Sequence, residues 1–345
     1  MRIEPFSLSL ESPLEMSQGR ITDREGFVVR VERDGERGLG EATPLPGWTE
    51  SHEECAGALE RAIEADAAGA NPLAPLDDAP AARHGVELAL ADAVARAADQ
   101  PLYRSLGGDR SVEYVPVNAT IGDGDVDETV EAASDAVERG VSCLKVKVGA
   151  RSVDEDVQRL RAVREAVGSS VELRADANGG WTRAEAEAAF EALEPLGVAY
   201  VEQPLSADDL AGLAALRGGG VGVAADETLV SESVEAVIDA GAADVLVLKP
   251  MALGGVRRAR ARAMRALDAG LLPVVTTTID AVVARTAAVH LAASLPDAPA
   301  CGLATAELLA EDLADDPAPV EDGTIRVPQG KGLGVAGPIG GNDVR

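Results

Sequence analysis

The chain has 345 residues, with 59 acidic side chains against 31 basic ones and a formal net charge of −28. That length buries a full core and suits one large α/β domain or a barrel with a smaller companion. The acid excess argues against nucleic acid and anionic membranes as partners, since both demand clustered Lys and Arg. No stretch approaches the roughly 18 continuous apolar residues of a membrane span, and nothing behind Met1-Arg2-Ile3-Glu4-Pro5 resembles the apolar core of a signal peptide. Cys55, Cys143 and Cys301 are odd in number, far apart and without a CxxC. Neither a disulfide framework nor a structural zinc site is expected, and a reducing, cytoplasmic setting is.

In chain order, residues 1 to about 50 read as β: Phe27-Val28-Val29-Arg30-Val31-Glu32 alternates and Asp34-Gly35 marks a hairpin turn. Residues 51 to 107 read as helices. Ser51 with Glu54 forms a capping-box pattern, Val86, Leu90 and Val94 recur at helical spacing, and Pro72 to Pro80 is the intervening loop. From Tyr114 onward, short apolar strands alternate with helical stretches such as Asp154–Val167 and Arg183–Leu193. The predicted strands are Tyr114–Ile121, Cys143–Gly149, Val171–Ala177, Tyr200–Pro204, Val221–Glu227, Asp244–Pro250, Pro273–Ile279 and Ala300–Thr305. Apolar strands alternating with helices imply a parallel sheet covered by helices, and eight in a row suggest a (β/α) barrel. The last segment, from Gly323-Thr324-Ile325-Arg326-Val327, reads as a strand and Gly-rich coil returning to the first region. An open doubly wound sheet is the rival architecture, but no GxGxxG follows the first strand, so dinucleotide binding has no support.

Only four lysines, Lys145, Lys147, Lys249 and Lys331, stand against 27 arginines. Acid excess with depleted lysine fits a surface adapted to high salt. A GC-rich genome that favours Arg, Ala, Gly and Asp codons produces a similar bias, and both can hold. Lysines placed inside apolar strands of such a chain point to chemistry.

In a barrel of this kind the site lies at the C-terminal strand ends. Those ends carry Lys145 and Lys147, Asp176 and Asn178, Glu202, Asp226 with Glu227, Lys249, and Thr277 with Thr278. Alternation places Lys145 with Lys147 on one face, and Arg174 with Asp176 and Asn178. Asp176, Glu202 and Asp226 stand on successive strands, so three carboxylates can converge on one point. A lone strand-end Asp is commonly a helix cap, but three at equivalent heights call for a counter-charge. A hard divalent cation supplies it, with Mg²⁺ the natural choice and Mn²⁺ an alternative. Such a cation bound to a substrate carboxylate stabilises the enediolate left when an α-proton is removed, and a lysine beside another cation can serve as the base. His52, His84 and His290 fall in helical stretches and read as structural or exposed; no Ser-His-Asp or Cys-His arrangement stands out at the strand ends.

Over essentially its whole length the chain resembles the enolase superfamily. The resemblance rests on Lys145-Val146-Lys147, Asp176-Ala177-Asn178, Glu202-Gln203-Pro204, Asp226-Glu227, and Lys249-Pro250 followed by Gly254-Gly255. Together these look like the muconate-lactonising subgroup. Within it, Gly40-Glu41-Ala42-Thr43-Pro44-Leu45-Pro46-Gly47-Trp48 is similar to the N-terminal signature of the o-succinylbenzoate synthase family, as are Thr277-Thr278-Ile279-Asp280 and Gly302-Leu303-Ala304-Thr305. The chain departs from the pattern at Ala304, where an acidic residue is common. It also lacks the Asp-x-Asp that dipeptide epimerases show after the eighth strand.

The resemblance implies a (β/α)7β barrel over residues 113–312. An α+β capping domain from residues 1–112, joined by the segment 313–345, would close over it, and the loops around Ser17-Gln18-Gly19 and Pro46-Gly47-Trp48 would cover the substrate. It implies Mg²⁺-dependent syn-dehydration of 2-succinyl-6-hydroxy-2,4-cyclohexadiene-1-carboxylate to o-succinylbenzoate, a step of menaquinone synthesis. Lys147 would remove the α-proton, Lys145 would keep it poised and Lys249 would stabilise the enediolate from the opposite face. Asp176, Glu202 and Asp226 would hold the metal. Asn178, Arg174, Thr277, Thr278, Gly302 and Trp48 would contact a small carboxylate substrate. A racemase of N-acylated amino acids or a dipeptide epimerase on the same barrel is the alternative, and a non-catalytic metal-binding barrel is a third.

Overall fold

A computed structural model describes residues 1–16, 19–336 and 339 of the chain. Of the two expected covering loops, Ser17 and Gln18 lie outside the described residues. The N-terminal part is a three-stranded antiparallel sheet of Arg2–Met16, Gly19–Arg33 and Glu36–Ala42. Asp34 and Gly35 turn the second hairpin with φ of 53° and 80°, the left-handed pair that matches strand twist. Helices His52–Ala67 and Pro80–Ala97 follow, the first opened by the Ser51–Glu54 capping box. The second lies directly on the third strand: a Cβ on Gly40 would sit 2.0 Å from the Gly85 carbonyl oxygen. Glycine at that position is what lets backbone meet backbone.

The larger part is a seven-stranded parallel sheet whose order in space follows the sequence: Ala119–Ile121, Cys143–Lys147, Glu172–Asp176, Val198–Glu202, Gly222–Ala225, Val245–Leu248 and Leu272–Val275. Its two edges are linked through residues 301 and 302, by the parallel bridges Val117 to Cys301 and Thr276 to Gly302. Helices join successive strands, and residues such as Leu144, Val146, Leu173, Val201, Leu246 and Leu248 form its main apolar core. The fold is therefore mixed α/β around a parallel sheet, and no helix among the described residues is long and apolar enough to cross a membrane.

Two expected strands are corrected. Tyr114–Ile121 is not one strand, because its partner changes midway. Tyr114–Pro116 pairs antiparallel with Thr324–Arg326, whereas Ala119–Ile121 pairs parallel with the lysine strand. Between them Val117 N–H donates to Gly323 and Asn118 N–H to Cys301. Ala300–Thr305 makes only the two bridges at Cys301 and Gly302, since the chain then turns, with Thr305 N–H donating to Leu303 and a 3₁₀ turn over Ala306–Leu308. The C-terminal strand thus adds to Tyr114–Pro116 rather than to the first sheet. Beyond it Leu333 N–H donates to Asp92 of helix Pro80–Ala97, and Leu333, Val335 and Ile339 share a core with Leu8, Val28 and Leu88.

Candidate active site

The strand register sets the geometry. Lys147 is paired with Asp176, and Asp176 with Glu202, so three charged side chains sit side by side at the same strand end. Asp226 and Lys249 each follow directly on the last residue of their strands. The result is a row of carboxylates from three neighbouring strands with a lysine strand on either side. All three carboxylates are almost fully buried.

They do not converge on a single point. Lys145 Nζ donates to Glu202 Oε1 at 2.8 Å and lies 3.0 Å from Asp176 Oδ2, while Lys147 Nζ reaches the same Asp176 oxygen at 2.7 Å. Asp226 is drawn instead to Lys249, whose Nζ lies 2.6 and 2.5 Å from its two oxygens. Among the described residues no three acidic, His or Cys groups are gathered tightly enough to grip an ion. The physical reason is charge: buried carboxylates take the nearest cation, here an ammonium.

The electrostatics divide the row. Burial alone would raise the Asp176 carboxyl, but Lys145 and Lys147 outweigh it and hold it well below the usual range. Burial, with Asp176 adding repulsion, pushes Glu202 up to about 7 despite Lys145. Asp226 is raised by burial too, against the pull of Lys249. Lys145 is held well above the usual lysine range, burial being outweighed by Asp176 and Glu202. Hard carboxylate oxygens from three adjacent strands are the donors Mg²⁺ prefers, so in chemistry, though not in their present lysine-paired arrangement, the residues fit that ion.

The other expected contacts are spread unevenly. Asn178, at φ 43°, accepts from Lys147 Nζ through Oδ1 at 2.7 Å and donates through Nδ2 to Glu227 Oε1 at 2.9 Å. Trp48 lies on the Lys249 ammonium, its ring centroid 3.3 Å from Nζ. Thr277 Oγ1 meets Thr305 Oγ1 at 3.0 Å, and Thr278 Oγ1 donates to Asp280 at 2.5 Å. Arg174 does not join the cluster. It is buried against the Ala300 carbonyl and the Tyr200 ring beneath the carboxylate row, where it pairs with the exposed Glu172. Gly302 is half-buried where the sheet edges join, and a Cβ there would fall 2.5 Å from Thr276 Oγ1, so only glycine fits that crossing.

The histidines are structural. His84 Nδ1 contacts the Glu41 carbonyl, His290 contacts the Leu333 carbonyl and Tyr103 N–H, and His52 stacks on Phe27. The sequence alone did not single out Gln203. Fully buried at φ 41°, it accepts from Asp226 N–H and Thr228 N–H and donates to Leu205, fixing the turn that presents Asp226. Its place between Glu202 and Pro204 at a strand end was the available signal. Arg24 and Glu41 are likewise buried, beside the site loops.

Residues 128–337 match the family described as Enolase C-terminal domain-like, and residues 1–93 the family described as MenC, N-terminal domain. The chain is 30% identical over 358 residues to chloromuconate cycloisomerase CbnB of Cupriavidus necator, covering 97% of this chain and 96% of that protein. It is 42% identical over 210 residues to o-succinylbenzoate synthase of Thermobifida fusca (strain YX), covering 59% and 64%. Among solved structures, the dipeptide epimerase of Enterococcus faecalis V583, complexed with Mg and the dipeptide L-Leu-L-Tyr, superposes with a TM-score of 0.84 at 26% identity, covering 97% of this chain and 98% of that one. A row of strand-end carboxylates between two lysine strands, on a parallel α/β sheet matched over most of its length, leads to one conclusion: the chain belongs to the enolase superfamily of enzymes.

Proposed function

We propose that the chain is an o-succinylbenzoate synthase, dehydrating 2-succinyl-6-hydroxy-2,4-cyclohexadiene-1-carboxylate in menaquinone synthesis, with Mg²⁺ or Mn²⁺ held by Asp176, Glu202 and Asp226. The observation that carries this is the unequal holding of the two flanking lysines. Lys249 is clasped by both oxygens of Asp226, covered by Trp48, and its side chain is only 12% exposed. Lys147 is 34% exposed, with Asp176 and the turnable amide of Asn178 as partners. One lysine placed to move protons and one placed to hold charge suit an elimination confined to one face. The synthase relative and the match of residues 1–93 support the same assignment.

The metal, when bound, would supply Lewis-acid stabilisation of the charge that develops on the substrate carboxylate. Lys147 takes the α-proton and returns a proton to the departing hydroxyl on its own side. Lys145, lodged between Asp176 and Glu202, keeps positive charge beside that base. Lys249 faces the developing charge from the other side. We read the sheet, with its edges joined through Cys301 and Gly302, as a (β/α)7β barrel over residues 113–312 capped by residues 1–112 and 313–345. A cytoplasmic location belongs to the same proposal, in keeping with three buried free thiols.

Racemisation or epimerisation is the second reading, favoured by the presence of lysines on both sides and by the dipeptide-bound relative. The two separate by mutation. Lys147→Arg keeps the charge but cannot deprotonate, and it should lower o-succinylbenzoate formation, followed by ultraviolet absorbance, by about 10²–10⁴-fold. Lys249→Arg should be far milder. A wild-type enzyme that exchanges the α-proton of N-succinyl amino acids in D₂O but forms no aromatic product would replace the dehydratase with the racemase. Salt adaptation is also proposed, from the excess of 59 acidic over 31 basic residues. The melting temperature should rise from low to molar KCl, and a flat or falling trend would leave codon bias as the cause.

A further inference from the structure

Two buried side chains outside the lysine and carboxylate row join the loops on either side of it. Glu41, at the end of the third strand, has no solvent exposure. Its Oε1 accepts from Thr43 Oγ1 at 2.6 Å and Ala281 N–H at 2.8 Å, and its Oε2 from Ala284 N–H at 2.8 Å. Arg24, from the second strand, donates to the carbonyls of Thr43 at 2.9 Å, Pro44 at 3.1 Å and Ile279 at 3.1 Å. Both thus tie the root of the Trp48 loop to the turn that follows Thr277-Thr278.

What hangs from that root is stiff. Trp48 N–H and Thr49 N–H both donate to the Leu45 carbonyl, and Leu45 N–H donates to Thr49 Oγ1 at 2.8 Å. Residues 45–49 are therefore a closed turn whose position is set where Thr43 and Pro44 are held. On the opposite side Ile279 has φ 62°, a left-handed conformation that a β-branched residue adopts only when its surroundings enforce it. Arg24 on its carbonyl and Thr277 Oγ1 on its N–H are the groups that do so.

We propose that Arg24 and Glu41 form a latch that seats Trp48 over Lys249 and fixes the Thr277–Asp280 turn, so that they are positioning residues for the substrate pocket. The latch fixes the separation of the Trp48 loop from the seventh strand end, and through it the space left under the indole for a substrate. Its consequence for turnover rests on the carboxylate-substrate function proposed above; its consequence for Trp48 does not.

The chain has two tryptophans, so a Trp181→Phe background leaves Trp48 as the sole indole. In that background Glu41→Gln and Arg24→Met should raise acrylamide quenching of Trp48 about threefold and KM about tenfold, with kcat changed less, as expected for losing one or two buried hydrogen bonds. A purely structural role would lower the melting temperature and leave both quenching and KM at parental values, and that result in the folded variants overturns the latch. Should either variant fail to fold, Thr43→Val, which removes one bond to Glu41, is judged by the same readouts: a smaller rise in quenching supports the latch and parental quenching rejects it. Quenching is read without substrate, so a protein inactive on the proposed diene carboxylate would refute the synthase assignment while still deciding the latch.

Discussion

Two groups of helices in this molecule solve the same problem in opposite ways. Every helix opens with N–H groups that lack partners within it. His52–Ala67, Val126–Glu138, Val153–Val167 and Arg183–Leu193 satisfy theirs locally, through the capping boxes of Ser51, Asp125, Ser152 and Thr182. Pro80–Ala97, Val256–Asp268 and Val282–Ala293 begin after Ala79, Gly255 and Ala281, which have no side-chain cap to offer. Their donors are met from elsewhere: by Glu50 on Ala81 and Ala82, by Glu87 on Val256, and by Glu41 with Asp312 on Ala281, Ala284 and Val282. A local cap makes a helix start independent of the rest of the molecule. A borrowed one makes it a tie between distant segments, and in the case of Glu41 the tie spans 240 residues and borders the candidate site.

The contrast can be broken first at Glu41. Glu41→Ala strips three bonds from a fully buried carboxyl group and leaves the N–H groups of Ala281 and Ala284 unsatisfied in the interior. Urea unfolding should show a loss of about 3 kcal/mol or more. A loss no larger than that of a surface cap would mean that distance and burial add nothing.

The same helix gives a pH test. Burial pushes the His290 ring down to about 4. It stays neutral in the folded protein while the unfolded chain's histidine protonates below about 6.5, so its contribution is intact above that pH and is lost as the pH falls toward 4, by up to about 3 kcal/mol. His290→Asn removes the titration. The stability difference between parent and variant should therefore shrink on acidification from pH 7 to 4, and a constant difference would refute the assignment. At a locally capped helix the effect should be smallest: Ser152→Ala should cost about 1 kcal/mol in the same unfolding assay. It should not alter the acrylamide quenching of Trp48, because Ser152 serves only its own helix.

Much of the first half of this comparison was legible in the residues. The Ser51–Glu54 box, the helices near Asp154–Val167 and Arg183–Leu193, and the Asp34-Gly35 hairpin are local patterns, and each is set by contacts within a few residues. The lysine and carboxylate row was legible as well, because strand alternation and recurrent strand ends place Lys147, Asp176 and Glu202 in register without knowledge of the loops. Arg174 obeys the same alternation, yet it lies one layer deeper, where Glu172 and the Ala300 carbonyl claim its guanidinium.

By itself the sequence determined the order of elements, the facing of side chains along each strand and the charged residues available at the strand ends, since those follow from backbone periodicity. Only the tertiary structure decided which cation each carboxylate takes, where Tyr114–Ile121 changes partners, and that Trp48 lies on Lys249. Those outcomes depend on hydrogen bonds and ion pairs between segments far apart in the chain, whose partners are chosen by proximity and burial rather than by any neighbour in sequence.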